Sequence, residues 1–172
     1  MGNISRRRYL SVTALATLSA GIAGCSDDGE DGPTDEDTLD GADYPAVDEW
    51  LTETDIGAAA PNYDGQIVDW RDEDDITVNV GTGDTGTEYD PEAIAISSGT
   101  TVTWEWTGRG GPHNVEAEPD GQLGESDYEF SSGEPIPDEG NTFEQTFDEA
   151  GIALYHCEPH LSVGMKGAIV IE

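Results

Sequence analysis

Four side chains that can bind a transition metal lie in two short stretches of the C-terminal half. Cys157, His160 and Met165 follow one another at the spacing C-x2-H-x4-M, and His113 stands upstream in Gly-Gly-Pro-His-Asn. One thiolate, two imidazoles and one thioether are the donors of a trigonal copper site with a weak axial methionine. Thiolate and thioether favour Cu(I), whereas imidazole suits Cu(II), so one arrangement can serve both oxidation states. The pattern predicts a mononuclear copper site.

Other interpretations of these residues explain the pattern less well. A lone thiol is most often a buried and inert side chain. That interpretation would not explain why two of the three histidines and the only methionine after Met1 lie in these two stretches. Zinc on one cysteine and two histidines would favour a harder fourth ligand or water. A second, catalytic copper at His156 would need further imidazoles, and the chain has three histidines in all. The histidine count therefore argues against an oxidase or a reductase.

Short strands must position these residues. Beyond Arg71, apolar residues recur at every second position, and glycine, proline and aspartate separate the alternating segments. This pattern is typical of an all-β sandwich, for which we expect seven or eight strands. The segments lie at 76–80, 94–96, 102–106, 113–116, 143–147, 152–157 and 168–171. The stretch from Cys157 to Met165 then forms the loop between the last two strands, and a long loop over 117–142 interrupts the rhythm.

Residues 44–70 have a weaker pattern, with one or two helical turns expected at 47–51 and irregular structure elsewhere. Alternation along the strand that precedes Cys157 turns His156 away from the thiol. Residues 44–70 are expected to cover part of His156. We interpret this histidine as a structural residue or an electron exit point rather than a ligand.

The N-terminus has the pattern of an export signal. Arg6-Arg7-Arg8-Tyr9-Leu10 opens a run of small and apolar residues that ends at Ile22-Ala23-Gly24-Cys25. A charged start followed by a short apolar run is typical of a secretory signal, and the paired arginines resemble the twin-arginine class. The last four residues resemble a lipobox, so we predict a signal peptide over 1–24 and a lipidated Cys25. An uncleaved anchor is the alternative, although residues 9–24 are shorter than the roughly 20 residues of a membrane span.

Acidic residues dominate the rest of the chain. The formal net charge is −32, and it becomes −35 when the three arginines of residues 1–24 are excluded. This charge excludes nucleic acid as a partner and argues against electrostatic docking on anionic lipid. Residues 25–43 are acidic and nearly devoid of large apolar residues, so we predict a flexible linker. Such self-repulsion is tolerable where salt screens it strongly, and the composition therefore indicates a halophilic protein.

The quoted stretches resemble the plastocyanin-like cupredoxins. Pro112-His113-Asn114 and the Cys-Glu-Pro-His motif with Met165 carry the resemblance. The run Gly-Thr-Thr-Val-Thr-Trp-Glu-Trp-Thr-Gly at 99–108, the lipobox and the acidic tail are similar to the halocyanins, archaeal blue copper proteins of this family. The resemblance covers most of residues 44–172. It implies a cupredoxin Greek-key β-sandwich with one type 1 copper, bound by His113, Cys157, His160 and Met165.

The resemblance also implies a function and the supporting residues. Asn114 is expected to pin the copper-binding loop by hydrogen bonds, and Pro159 to stiffen it. Apolar residues around His160, namely Leu161, Val163, Pro112 and Gly110-Gly111, are expected to form the docking surface for a redox partner. We expect a monomeric one-electron carrier rather than an enzyme, tethered through Cys25 to the outer face of the membrane near redox complexes. Copper storage or delivery is the alternative, which the single methionine and the short loop disfavour.

Overall fold

Two β-sheets contribute to one shared apolar core. This computed structural model describes residues 38–117 and 126–172. In chain order, its strands and α-helix are β1 (Thr38–Asp40), α1 (Pro45–Thr52), β2 (Gln66–Asp69), β3 (Ile76–Thr82), β4 (Glu88–Asp90), β5 (Ala93–Ile96), β6 (Thr100–Trp106), β7 (Thr142–Phe147), β8 (Gly151–His156) and β9 (Lys166–Ile171). Two 3-10 helices lie at Gly41–Asp43 and Glu158–Val163.

The sheets are mixed, and the chain crosses between them repeatedly. One sheet has the strand order β1-β2-β5-β9-β8, and the other has the order β4-β3-β6-β7. The pairs β3–β6, β2–β5 and β5–β9 are parallel, whereas β6–β7 and β8–β9 are antiparallel. The order agrees with the predicted Greek-key sandwich, in which strands distant in sequence become neighbours.

Burial explains which strands the sequence could reveal. In β6, Val102, Trp104 and Trp106 are buried, while Thr101 and Glu105 are exposed and Thr103 is half-buried. This is the alternation of a strand with one face on the core. All of β9 is buried instead, because α1 packs against it. The uniformly apolar pattern of 168–171 agrees with a strand that is covered on both faces.

The strands with clear alternation are confirmed, and three short ones are additions. The segments predicted at 76–80, 94–96, 102–106, 143–147, 152–157 and 168–171 correspond to β3, β5, β6, β7, β8 and β9. β1, β2 and β4 have only three or four residues each, too few to show a period. The strand predicted at 113–116 is wrong. His113 pairs with Ile136, whereas Glu116 pairs with Ser131 and His156, so no continuous ladder forms.

The N-terminal part of the domain is more ordered than the sequence predicts. The helical turns expected at 47–51 are confirmed as α1. Residues 38–43, assigned to the linker on their acidity, form β1 and a 3-10 helix, because β1 pairs with β2. Among the described helices, none has the length and apolar character needed to cross a bilayer. The predicted signal peptide, Cys25 and residues 25–37 of the linker lie outside the described residues.

Candidate metal centre

The loop at 157–165, between β8 and β9, brings three of the predicted donors onto adjacent backbone. A 3-10 helix over Glu158–Val163 begins with Pro159 in its first turn and ends at Gly164, whose φ of +90° belongs to the left-handed region. The amide of Cys157 donates to the carbonyl of Met165 over 3.0 Å, and the amide of Met165 donates to that of His160 over 3.2 Å. These bonds close the loop, so its donors have a fixed relation to one another.

His113 comes from a different part of the fold, the segment that follows β6. Its amide and carbonyl both bond to Ile136 at 2.9 Å, and the carbonyl also accepts from the indole of Trp106 at 3.0 Å. His113 is 1% exposed. Its backbone is therefore anchored independently of the 157–165 loop.

The donor atoms of these two segments meet in a small triangle. The Cys157 sulfur lies 3.7 Å from Nδ1 of His113 and 3.5 Å from Nδ1 of His160, and the two nitrogens are 3.1 Å apart. A point equidistant from the three atoms lies about 2 Å from each, close to the bond lengths from zinc to imidazole nitrogen and to thiolate sulfur. Among the described residues, this is the cluster of His, Cys, Asp and Glu side chains that could bind a metal ion.

A hydrogen bond fixes the protonation of His113. Nε2 of its ring lies 2.7 Å from the carbonyl oxygen of Arg109. A carbonyl can only accept, so Nε2 carries the proton and Nδ1 presents a lone pair to the triangle. This is the arrangement in which a backbone carbonyl orients a metal-binding imidazole.

The pKa values of the three groups also suit a metal. Burial raises the pKa of the Cys157 thiol to about 11, although backbone N–H groups of Asn114 and His160 lower it. Without a metal the thiol therefore keeps its proton at neutral pH, and a metal must displace it. Burial lowers the pKa of His113 and of His160, and His113 lowers that of His160 further. Both imidazoles are neutral at pH 7 and available as ligands.

Met165, the fourth predicted donor, is the last residue of the loop and directly precedes β9. Its side chain is fully buried in the apolar core, and its backbone closes the loop as described above. Its thioether is the one sulfur besides that of Cys157 in the described residues. Thiolate, two imidazoles and a nearby buried thioether form a donor set that fits copper.

Comparison with known proteins decides the family. Residues 76–172 match the model of copper-binding proteins of the plastocyanin/azurin family. The chain belongs to that family. Halocyanin of Natronomonas pharaonis is 45% identical over 177 aligned residues that span all of both chains. Plastocyanin of Scenedesmus fuscus is 34% identical over 99 residues, which cover 57% of this chain and 100% of that protein.

Solved cupredoxin structures resemble the same region. A purple cupredoxin of Nitrosopumilus maritimus is 28% identical, with a TM-score of 0.44, over 57% of this chain and 100% of that one. The fold is that of a cupredoxin because residues 76–172 match the copper-binding family, and the two sheets described above agree with it. The family consists of blue copper electron carriers, and the cofactor is copper.

Asn114 links the two donor segments of this cupredoxin. Its side-chain amide donates to the Glu158 carboxylate over 2.7 Å, and its side-chain oxygen accepts from the Glu158 amide over 3.0 Å. The same amide group lies 3.3 Å from the carbonyl of Gly133, and the carbonyl of Asn114 accepts from the phenol of Tyr89. The residue after His113 is thus bonded to the residue after Cys157.

Apolar side chains lie on the surface near His160. His160 is half-buried, unlike the enclosed His113, and Leu161 beside it is half-buried as well. Val163 is 49% exposed, and it is the large hydrophobic side chain that stands exposed among the described residues. Pro112, next to His113, is also exposed. The loop therefore presents apolar groups on an otherwise acidic protein.

His156 lies outside the triangle. It is 2% exposed, and its ring stands edge-on to that of Trp50 with centroids 6.3 Å apart. Trp50 belongs to α1, so the expected cover by residues 44–70 is confirmed for this contact. His156 also exchanges backbone hydrogen bonds with Glu116.

Two contributors to the site were missed by sequence reasoning. The carbonyl of Arg109 sets the tautomer of His113, and the carboxylate of Glu158 binds Asn114. A backbone carbonyl leaves no trace in residue identity, so Arg109 had no signal. Glu158 stands between Cys157 and Pro159 and could have been proposed as a partner for Asn114.

Proposed function

We propose that this protein is a one-electron carrier with one type 1 copper per chain, bound by His113, Cys157, His160 and Met165. The triangle of three donor atoms carries this proposal, because two independently anchored segments bring those atoms to bonding distance of one central point. Membership of the copper-binding family and the full-length similarity to a halocyanin support it.

Copper bound there supplies the redox chemistry, since it alternates between Cu(I) and Cu(II). The chain supplies a rigid set of donors. Hydrogen bonds on both segments fix His113 and the 157–165 loop, so the donors need not move when the charge of the site changes. Small movement favours rapid electron transfer. Burial of Cys157 and His113 keeps water from the donor atoms.

The electron would enter or leave at His160. Its ring is the partly exposed one of the two, and Val163 and Pro112 supply apolar surface nearby. A membrane-bound redox protein that docks there would contact the exposed edge of the His160 ring. A small apolar contact of this kind suits a transient complex, which must dissociate after each transfer.

We also propose that the domain works outside the cell, tethered to the outer face of the membrane. The support is the twin-arginine pattern, the lipobox-like sequence before Cys25 and the acidic stretch that follows. Two acyl chains on one cysteine bind a bilayer durably, whereas one binds marginally. The net charge of −32 supports a halophilic setting, because molar salt reduces the Debye length to about 3 Å.

Voltammetry of the copper-loaded protein tests the proposal. A carrier gives a reversible one-electron wave and retains its copper against a chelator in both oxidation states. A protein for copper delivery would surrender the ion to the chelator in one of those states. Absence of a reversible wave, with copper bound, would overturn the assignment as a carrier.

A further inference from the structure

The segment of residues 53–60, which follows α1, lies directly against the 157–165 loop. The amide of Ala58 donates to the carbonyl of Leu161 over 3.4 Å. At Gly57, with φ of +80°, an added Cβ would stand 2.1 Å from that same carbonyl oxygen. No side chain fits in this space, so the close approach of the two backbones requires glycine at this position.

A second glycine makes the reciprocal contact from the loop. A Cβ at Gly164 would lie 2.1 Å from the carbonyl oxygen of Ala59 and 3.3 Å from that of Ala58. Gly164 directly precedes Met165. The segment of residues 53–60 therefore touches the loop on both sides of its last turn, between His160 and Met165.

Glu53 anchors this segment from its N-terminal end. One carboxylate oxygen accepts from the amides of Asp55 and Ile56 at 2.7 and 2.9 Å. The other oxygen pairs with the ammonium of Lys166, the residue that follows Met165. One side chain thus joins the end of α1, the turn before Gly57 and the first residue of β9.

Lys166 is the buried partner in this arrangement. It is 0% exposed, and its ammonium also donates to the carbonyls of Trp50 and Glu53 at 3.2 and 3.1 Å. Its three N–H groups thus have three acceptors, and the charge lies 4.6 Å from the centroid of the Trp50 ring. Removing the carboxylate would leave this buried charge without a counterion, which is strongly unfavourable.

We propose that Glu53 and Gly57 are positioning residues for the copper site, and that the segment of residues 53–60 fixes the conformation of the 157–165 loop. Both residues precede 76–172, the span that matches the copper-binding family. The inference rests on the proposed role of His160 and Met165 as copper ligands. A loop released from this segment opens more often, so copper leaves faster and the reduction potential shifts.

Two variants and two matched controls test the proposal. Gly57→Ala puts a methyl group against Leu161, whereas Gly65→Ala imposes similar strain at φ of +90° with no atom within 4 Å. Glu53→Gln breaks the pair with Lys166, whereas Asp69→Asn breaks the pair with Arg71 at similar exposure of the carboxylate. Hydrogen exchange at the amides of Gly164 and Met165 is measured in the copper-free proteins. Copper transfer to excess chelator and the potential are measured in the loaded ones.

Gly57→Ala and Glu53→Gln should each speed exchange at those two amides, and copper loss, by about tenfold, equivalent to about 1.4 kcal/mol. Amides of the β3–β6 ladder should keep their rates, and only the two test variants should shift the potential. Gly65→Ala and Asp69→Asn should stay within about twofold of the wild type. Equal rates of amide exchange and copper loss in Gly57→Ala and Gly65→Ala would overturn the proposal. If Glu53→Gln does not fold, the comparison of these two glycine variants still tests it. A wild type that binds no copper would refute the proposed function instead, while the exchange rates would still report on the loop contact.

Discussion

Among single residues, the two donor histidines differ in how firmly they are fixed. His113 is enclosed, and the Arg109 carbonyl bonds to its second nitrogen. His160 is half-buried and sits on the loop near exposed Val163. One histidine is thus part of the rigid core, and the other lies at the surface where we propose that a redox partner docks. Substitutions around His160 should change electron-transfer rates between proteins more than they change the spectrum.

Met165→Leu should keep the blue colour and raise the reduction potential. Cu(I) accepts three ligands, whereas Cu(II) depends more on a fourth, so loss of the thioether destabilises Cu(II) more than Cu(I) although the thioether itself is a soft ligand. The leucine that replaces it leaves a comparably apolar, filled site. A rise of about 60 mV corresponds to a tenfold change in the equilibrium for one electron. Voltammetry of the variant beside the wild type measures the shift. An unchanged potential would mean that Met165 is not the axial ligand.

Most of the site could be predicted at the scale of single residues, since the four donor residues have the identity, order and spacing of the ligands of a type 1 copper site. The triangle contains His113, Cys157 and His160, and Asn114 bonds to the loop. The remainder depends on the backbone. The carbonyl of Arg109 and the amides that lower the pKa of Cys157 have no signature in the identity of a side chain.

At the scale of secondary structure, whether the sequence predicted a strand depended on the length of that strand. β3 and β6 have seven residues each, long enough for their alternation to be visible, and both were predicted. β1 and β4 have three residues each and exist because a neighbouring strand pairs with them. The contact of residues 57–59 with the 157–165 loop joins segments about a hundred positions apart, so no local pattern could reveal it.

The turn from β4 to β5 contains a carboxyl that should make stability depend on pH. Glu92 is buried, and one of its oxygens finds no hydrogen-bond partner among the described residues. Burial, together with the nearby carboxylates of Glu88 and Asp90, raises its pKa to about 7. Because the pKa is higher in the folded state, this group makes folding less favourable as pH rises from about 4.5 to 7.

Glu92→Gln should remove that dependence. The free energy of unfolding of the variant, relative to wild type, should rise by roughly 2 kcal/mol between pH 5 and pH 8. Denaturant unfolding at constant salt measures this difference, with the exposed Glu105→Gln as a control for the loss of one acidic charge. A constant difference between Glu92→Gln and wild type across this range would refute the assignment.

At the scale of the whole molecule, the few basic residues have specific roles. Only Arg71, Arg109 and Lys166 follow the arginines of the predicted signal peptide. Arg71 pairs with the carboxylates of Asp69 and Glu172, and Arg109 donates to the carbonyl of Gly83. Lys166 is the buried charge under α1. In a chain that nearly excludes basic residues, this scarcity was a signal that the lysine beside Met165 has a structural role.

Stability should rise steeply with salt, and the copper-free protein should depend on salt more than the loaded one. Between 0.01 M and 1 M salt the Debye length falls from about 30 Å to 3 Å, which screens the repulsion among 38 acidic residues. Bound copper adds its binding free energy to folding. The melting temperature should rise by about 4 °C for each kcal/mol of stability that screening adds to a domain of this size. A melting temperature that stays constant from low to molar salt would refute the halophilic interpretation.

Cys25→Ser should release the protein from membranes and leave the visible spectrum unchanged. The substitution removes the proposed site of lipidation, which lies outside the domain that contains the copper donors. Fractionation of cells that express the full chain measures the release, and the spectrum of the soluble fraction is the control. Complete retention in the membrane fraction, with residues 1–24 still attached, would support an uncleaved anchor instead.

Titration of the copper-free protein with Cu(II), followed by visible absorption, tests the central claim most directly. Thiolate coordination in the proposed site predicts an intense blue band that saturates at one copper per chain. The same titration of Cys157→Ser should give no such band, because the variant lacks the thiolate. A colourless wild-type complex, saturation at another ratio, or a blue band that survives in Cys157→Ser would contradict a type 1 copper site at His113, Cys157, His160 and Met165.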